Sequence, residues 1–311
     1  MEKILIFGGA GFIGSNLVDF LSERGDSIHV FDNFSMGMAT AELPLKAHVT
    51  RGDMRNLKEV IECITAFQPT RIYHLAANSD IAASSVNPSA DVQNTLLSSV
   101  VLARALANNS CDADLIFASS SAIYGLSPHS INEDFPPKPE SSYGWMKLAS
   151  EAVLSNLVSE GFIKKLLIAR FPNVTGRHQT HGVVHDLVKK LKVSPQRLQV
   201  LGDGSQLKPY VLASELVASL ENVISSSWSG SRTYNFAPKD RISVRTIAEI
   251  VAKVSKLSPT IEFGNTSGGW PGDIPKYLLD CSKIESDFGP LKYGSSETAI
   301  LAAAEWAWQE M

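Results

Sequence analysis

Short apolar runs alternate with helical patterns through the first half of this chain. Lys3-Ile4-Leu5-Ile6-Phe7 and Ile28-His29-Val30-Phe31 have the length and composition of buried strands. Further strands are predicted at His48-Val49-Thr50, Arg71-Ile72-Tyr73-His74-Leu75, Asp114-Leu115-Ile116-Phe117-Ala118 and Lys165-Leu166-Leu167-Ile168-Ala169. Helices fit between them: from Ser15 to Leu21, from Leu57 to Phe67, from about Ala90 to Ala107, and from Tyr143 to Leu157. This βαβ rhythm predicts an α/β fold with a parallel, doubly wound sheet, whose ligands bind beyond the C-terminal strand ends. Polar or small residues occupy those ends: Asp32, Asp53, Ala76-Ala77-Asn78 and Ser119-Ser120-Ser121.

After Arg170 the rhythm breaks. Strands shorten and scatter, as at Leu198-Gln199-Val200-Leu201, Pro209-Tyr210-Val211 and Thr233-Tyr234-Asn235-Phe236. Helices are expected at 183–192, 213–225, 243–255 and 295–308. The reading is therefore a first domain over 1–172 and a smaller substrate-binding part over 173–311, with elements near 210–237 returning to the first sheet.

The turn after the first strand carries the most chemistry. Gly8-Gly9-Ala10-Gly11-Phe12-Ile13-Gly14 links a strand to a helix. Glycines there let the backbone approach a pyrophosphate, and the helix offers free N–H groups and its positive dipole end. Asp32 ends the second strand, eighteen residues after Gly14. A carboxylate at that place accepts hydrogen bonds from an adenosine ribose and repels a 2′-phosphate, so NAD is favoured over NADP in a Rossmann-type domain. A solvated turn aspartate before Asn33 is the bland alternative.

Tyr143-Gly144-Trp145-Met146-Lys147 places a phenol and an ammonium four apart, on one helix face. A cation beside the phenol favours phenolate and is expected to lower its pKa, giving an acid/base near neutral pH. The serine cluster 119–121 ends the preceding strand and can supply a hydroxyl to the same substrate oxygen, although polar strand exits are common.

The pieces GGAGFIG, VFDN, RGDMRN, HLAAN, SSSAIYG, SSYGWMK, ARFPNVTG, LGDGSQLKPY and WPGD run along nearly the whole chain. Together they make it resemble the extended short-chain dehydrogenase/reductases, in the NAD-dependent nucleotide-sugar epimerase/dehydratase group. The resemblance implies that Gly8, Gly11 and Gly14 hold the NAD pyrophosphate, Asp32 the adenosine ribose, and that Asp53 and Met54 flank the adenine. Ala76 and Ala77 would line the path to the nicotinamide ribose. Phe12, Ile13, Asn33, Leu75 and Asn94 would complete the cofactor site. Tyr143 would be the acid/base, Lys147 its partner and a ligand of the nicotinamide ribose, and Ser120 the catalytic hydroxyl. Asn78, Ser120, Ser121, Asn173 and Lys208 would face a UDP-sugar.

Departures from the family pattern narrow the reaction. Dehydratases of the group place an Asp-Glu pair after the catalytic hydroxyl, where this chain has Ser121 and Ala122. Lys208 and Trp270 stand where arginines usually grip the diphosphate, and Ala213 and Ser214 replace acids. The resemblance then implies epimerisation, with C4 of a UDP-hexose as the expected position. A dehydratase or 4-reductase is the rival within the group, and a non-catalytic NAD-binding regulator is the rival outside it.

Bulk properties exclude other classes. Charged residues are 19% and the formal net charge is −4, which advertises no nucleic-acid surface. Cys63, Cys111 and Cys281 form no C-x-x-C, as in reduced cytoplasmic proteins. No apolar run approaches the roughly 20 residues of a membrane span, and no signal peptide is expected before the first strand. His178, His181 and His185 suggest a metal, but Asp186 points off the shared face and no cysteine is near, so no metal is expected. Trp306 and Trp308, two apart on a terminal helix, should not both sit at the centre of its packing face. The apolar faces near 94–107 and 143–157 either cover the sheet or, as the resemblance implies, form a homodimer interface.

Overall fold

The backbone of the first half follows the strand–turn–helix pattern closely. The structure is a computed structural model that describes residues 1–35, 47–78, 87–109, 111–127, 129–269 and 273–311. In order come β1 (Lys3–Phe7), α1 (Phe12–Arg24), β2 (Ser27–Asp32), β3 (Ala47–Arg51), α2 (Leu57–Phe67) and β4 (Arg71–His74). A short α3 (Pro88–Asp91) passes through a π-helical stretch, Val92–Leu97, into α4 (Ser98–Asn108). Then follow β5 (Asp114–Ser120), a 3₁₀ turn (Ser121–Ile123), α5 (Ser142–Ser159) and β6 (Lys165–Phe171).

The single helix expected over about Ala90–Ala107 is thus interrupted. The Thr95 carbonyl at the π stretch takes hydrogen bonds from the Ser98 and Ser99 hydroxyls at 2.9 and 3.0 Å, and Thr95 Oγ1 accepts the Asn78 N–H at 3.1 Å. Hydroxyl side chains that compete for backbone carbonyls are what propensity patterns do not record.

The second half adds β7 (Asn173–Thr175), α6 (Val183–Val193), β8 (Arg197–Val200), β9 (Leu207–Lys208), β10 (Tyr210–Leu212) and α7 (Ala213–Ile224). It ends with β11 (Gly230–Asn235), β12 (Ile242–Ser243), α8 (Val244–Ser255), β13 (Thr260–Phe263), α9 (Ser282–Phe288) and α10 (Ser296–Glu310). β11 pairs parallel with β6, so the main sheet has seven parallel strands in the order β11-β6-β5-β4-β1-β2-β3. β7 pairs with β10, β8 with β13 and β9 with β12 in three small sheets.

Burial follows the pleat. Ile4 and Ile6 face one core with Leu17, Val18, Leu216 and Leu220, so α7 of the second half closes over α1. Leu5 and Phe7 face the other core with Val60, Ile64, Leu102 and Leu154. Strands covered on both faces read as continuous apolar runs, which is why the first half was legible. A third core joins α6, α8 and α10 through Leu187, Leu191, Ile247, Val251, Ile300 and Ala304. Trp306 and Trp308 are both half-buried at its margin, near the His178 ring and the Lys192 ammonium respectively.

Candidate active site

The C-terminal ends of β1, β2, β4 and β5 open on a cleft of ≈ 1340 Å³ that runs across to the second half. The glycine turn forms one wall. Gly8 has φ +82°, and a Cβ there would lie 2.6 Å from the Ala76 amide nitrogen. A Cβ on Gly14 would lie 2.3 Å from the Gly8 carbonyl oxygen. Gly11 caps α1 without a side-chain hydrogen bond, so the first N–H groups of the helix are left for a ligand. Gly8, Gly11, Phe12, Ile13 and Gly14 all line the cleft. A cradle kept open by missing Cβ atoms at a helix N-terminus is what a pyrophosphate requires.

Asp32 stands at the rim of this cradle. Its carboxylate accepts the N–H groups of Ala10 at 3.0 Å and Phe34 at 2.8 Å, tying β2 to the glycine turn. Burial raises its pKa, and those backbone bonds oppose the rise. Asn33 lies beside it in the cleft. Asp53 is clamped by Arg55, Nη2 to Oδ2 at 2.6 Å, which holds its carboxyl below the usual range. Met54 is buried next to it, and both line the same end. Leu75 and Ala76 donate N–H to the Phe7 carbonyl at 2.9 and 3.0 Å, holding this segment against the glycine turn. Ala77, Asn78 and Asn94 continue the wall. The Asn78 side-chain amide is bound to Asp91 at 2.8 Å.

Ser120 and Tyr143 meet at the middle of the cleft. Ser120 Oγ accepts the Ala122 N–H at 3.1 Å and lies close enough to Tyr143 to ease ionisation of its phenol. Two features bring α5 to this point. Ser141 caps it by accepting the Gly144 N–H at 3.2 Å, and a Cβ on Gly144 would lie 2.5 Å from the Ala122 carbonyl oxygen. Only glycine lets the first turn of α5 press against the 3₁₀ turn after β5. Gly144 escaped the sequence reading, although its place inside Y-G-x-x-K was visible.

Lys147 lies beneath rather than in the cleft wall. It is 2% exposed, donates to the Ala118 carbonyl at 2.5 Å, and sits 5.7 Å from the Tyr143 ring centre. Burial lowers its pKa to about 7. Burial also pushes the Tyr143 phenol up to about 12, with the nearby Ser120 hydroxyl opposing. The expected lowering of the phenol is therefore not what the protein alone shows: desolvation dominates.

The far end belongs to the second half. Asn173 Nδ2 donates to the Tyr277 hydroxyl at 3.0 Å, and Ser121 lies close enough to ease ionisation of the same phenol. Tyr277 lines the cleft, and burial raises its phenol to about 12. Sequence reasoning missed it, since nothing local marks a tyrosine whose partner is 104 residues away. Lys208 lines the cleft and forms a buried ion pair with Asp273. Trp270 lies outside the described residues. The histidines take separate partners: His178 pairs with Asp19 at 3.1 Å, while His181 and His185 lie beside Thr180 and Asp186. Among the described residues no cluster of three His, Cys, Asp or Glu side chains forms.

A sequence profile of the NAD dependent epimerase/dehydratase family matches residues 4–237. The chain belongs to this family. The cradle fits the family's NAD on its own evidence, in the excluded Cβ positions and the uncapped helix end. Similar curated proteins include a bifunctional UDP-glucose and UDP-xylose 4-epimerase of Pisum sativum, 26% identical over 99% of this chain and 95% of that one. The UDP-glucose 4-epimerase of Bacillus subtilis is 28% identical over 98% and 96%. Among solved structures, the NAD complex of the Thermus thermophilus UDP-glucose 4-epimerase superposes with a TM-score of 0.89 at 26% identity, covering 99% of both chains.

Family membership leaves the two positions after Ser120 as the most informative. Ser121 starts the 3₁₀ turn and lies near Tyr277, and Ala122 offers only its backbone. Neither supplies a carboxylate to the centre of the cleft.

Proposed function

We propose that this protein is an NAD-dependent epimerase acting at C4 of a UDP-hexose through a transient 4-keto sugar. The observation that carries the proposal is the placement of Ser120 beside Tyr143 at the middle of one continuous cleft, between the glycine cradle and the Asn173–Tyr277 end. The relatives named as UDP-sugar 4-epimerases along their whole length support it. When bound, NAD supplies an acceptor for the C4 hydrogen with its electron pair and, in its oxidised form, a positive charge near the phenol. Tyr143 takes the proton of the 4′-hydroxyl, and Ser120 holds that oxygen as it becomes a carbonyl. Tyr143 returns the proton after the sugar has presented its other face. Lys147 adds the chain's own positive charge to ease ionisation of a phenol that burial alone holds near 12.

Elimination of water needs an acid and a base beside the sugar, and Ser121 and Ala122 provide neither. We assign NAD binding to residues 1–172 and sugar-nucleotide binding chiefly to 173–311, with 210–237 contributing to the first domain. Lys208, Asn173, Asn78 and Ser121 are assigned to the UDP-sugar. We also infer a homodimer, because Val92, Leu97 and Val100 are exposed at 45, 38 and 40% and Trp145 on α5 at 50%. Such apolar surface on neighbouring helices suits a partner copy. Light scattering should give twice the chain mass, and Trp145→Lys should reduce it to one. The free thiols suit a reducing compartment, and we place the enzyme in the cytoplasm.

The decisive experiment incubates purified protein, without added cofactor, with a panel of UDP-hexoses under proton NMR. Appearance of the C4 epimer supports the proposal and the retention of NAD. A new methyl signal with a 4-keto sugar would mean dehydration. No change across the panel, even with NAD added, sinks the UDP-hexose assignment and leaves the non-catalytic reading ahead. Tyr143→Phe should lower turnover about 10²–10⁴-fold while retaining NAD.

A further inference from the structure

A buried ion pair lies below the Ser120–Tyr143 pair. Tyr143, Lys147 and Glu151 recur every four residues on one face of α5. The Glu151 carboxylate accepts the Ser119 hydroxyl and two bonds from Arg170, Nε at 3.0 Å and Nη2 at 2.7 Å. Arg170 in turn donates Nη1 to the Tyr124 hydroxyl at 2.8 Å, and Tyr124 donates to Asn235 at 2.8 Å. Glu151 and Arg170 are 6% and 9% exposed. The network therefore links α5 to the ends of β5, β6 and β11.

A buried ion pair stabilises a fold little more than an apolar pair of the same volume, so stability alone does not account for it. Lys147 supplies the missing role. From α5 it is faced by Glu151 and Tyr143, from β5 by the Ala118 carbonyl and the Phe117 ring, and from β4 by His74. His74 adds no charge, because burial and then Lys147 lower it to about 3. Asp91 faces Tyr143 and opposes its ionisation. Burial lowers the lysine, and Glu151 opposes that fall. We propose that Glu151, fixed by Arg170 and Ser119, is a positioning residue that supports the charged form of Lys147 beneath Tyr143. Its place in catalysis rests on the epimerase reading above.

The two halves of the pair should act in opposite directions. Glu151→Gln removes the negative charge and leaves Arg170 positive, so Lys147 titrates lower, by on the order of one pH unit. The basic limb of kcat, where the ammonium is lost, then moves down, and kcat at neutral pH falls about fivefold. Arg170→Gln moves the lysine titration the other way, and the double variant returns it to within about half a unit of the parent. A purely structural network would lower activity in both single variants without opposed shifts.

The titration is read without sugar, by NMR of ¹³Cε-lysine assigned through Lys147→Met. Opposed shifts establish the proposal, and an unmoved lysine in Glu151→Gln overturns it. If either single variant fails to fold, Glu151→Asp withdraws the carboxylate by one methylene and should shift the lysine in the same direction as Glu151→Gln, by less. No shift there also overturns the proposal. Shifts in a protein that epimerises no UDP-hexose would retain the electrostatic role and reject the epimerase reading. Epimerisation without shifts would do the reverse.

Discussion

The two ends of the cleft are built from different materials. The cradle end is backbone: Gly8, Gly11 and Gly14 shape it by what they lack, and Asp32 is held by N–H groups of its own surroundings. The far end is paired side chains: Asn173 with Tyr277, and Lys208 with Asp273. Backbone geometry tolerates almost no substitution, because a single Cβ meets main-chain atoms. Side-chain pairs can be exchanged one at a time, each exchange altering what the cleft accepts. The contrast suits an enzyme whose retained cofactor is invariant and whose sugar nucleotide differs among relatives.

Breaking the cradle should produce the largest effect. Gly14→Ala places a Cβ 2.3 Å from the Gly8 carbonyl, a clash that must displace the turn. Overpacking of this kind costs about 1–3 kcal/mol, so NAD binding should weaken by about 10²-fold. Gly25→Ala is the matched control. Unlike Gly14 it has positive φ, at +79°, but nothing lies within 4 Å of its Cβ position, so it should strain only its own backbone. Isothermal titration of NAD into each variant separates the two. Equal losses in both would mean that strain, not occupancy of the cradle, controls binding.

The same contrast explains what was legible in the sequence. Glycine turn, Asp32, serine cluster and Y-x-x-x-K are local patterns near strand ends, and the structure brings them to one cleft, with Lys147 just beneath its wall. All nine predicted strands and all four first-half helices correspond to observed elements, with the π stretch as the break in one of the helices. Tyr277, Gly144 and the Glu151–Arg170 pair were not recognised. Tyr277 acquires its meaning from Asn173 and Ser121, and Arg170 from a helix residue on a different element. Glu151 did leave a trace, as a third polar residue on the Tyr143–Lys147 face of α5, where a purely packing helix would carry apolar residues. The pKa expectation failed for a related reason. Spacing shows which groups are near, but burial, which dominates both Tyr143 and Lys147, is a property of the whole fold.

A smaller effect is expected at the far end. Lys208→Met removes the cation facing Asp273 and should raise KM for a UDP-sugar about tenfold while NAD stays bound, since cradle and pair share no atoms. Lys208→Arg keeps the charge and adds a fork able to grip a diphosphate with two hydrogen bonds, so its KM should stay at or below the parent value. Steady-state kinetics beside a measurement of retained NAD read both quantities. A loss of NAD in Lys208→Met would mean that the two ends are coupled and that the contrast between them is too sharp.

The smallest effect concerns stability and lies at the junction of the two ends. Lys147 titrates at about 7 in the folded protein and near 10.5 when free of its surroundings. Between these values the unfolded chain binds more protons than the folded one. Stability from this group therefore rises with pH across that window, by up to about 1.4 kcal/mol per pH unit, and is flat below it. The cause is desolvation, so a neutral side chain of similar length should remove the dependence. Chemical denaturation of the parent at pH 7.5 and 9 should show the rise, and Lys147→Met should show a shallower one. Equal slopes would place a charged lysine in the folded state throughout this range. The ammonium would then be better supported than its burial suggests, and Glu151 would be the group to credit, as the carboxylate that opposes the desolvation.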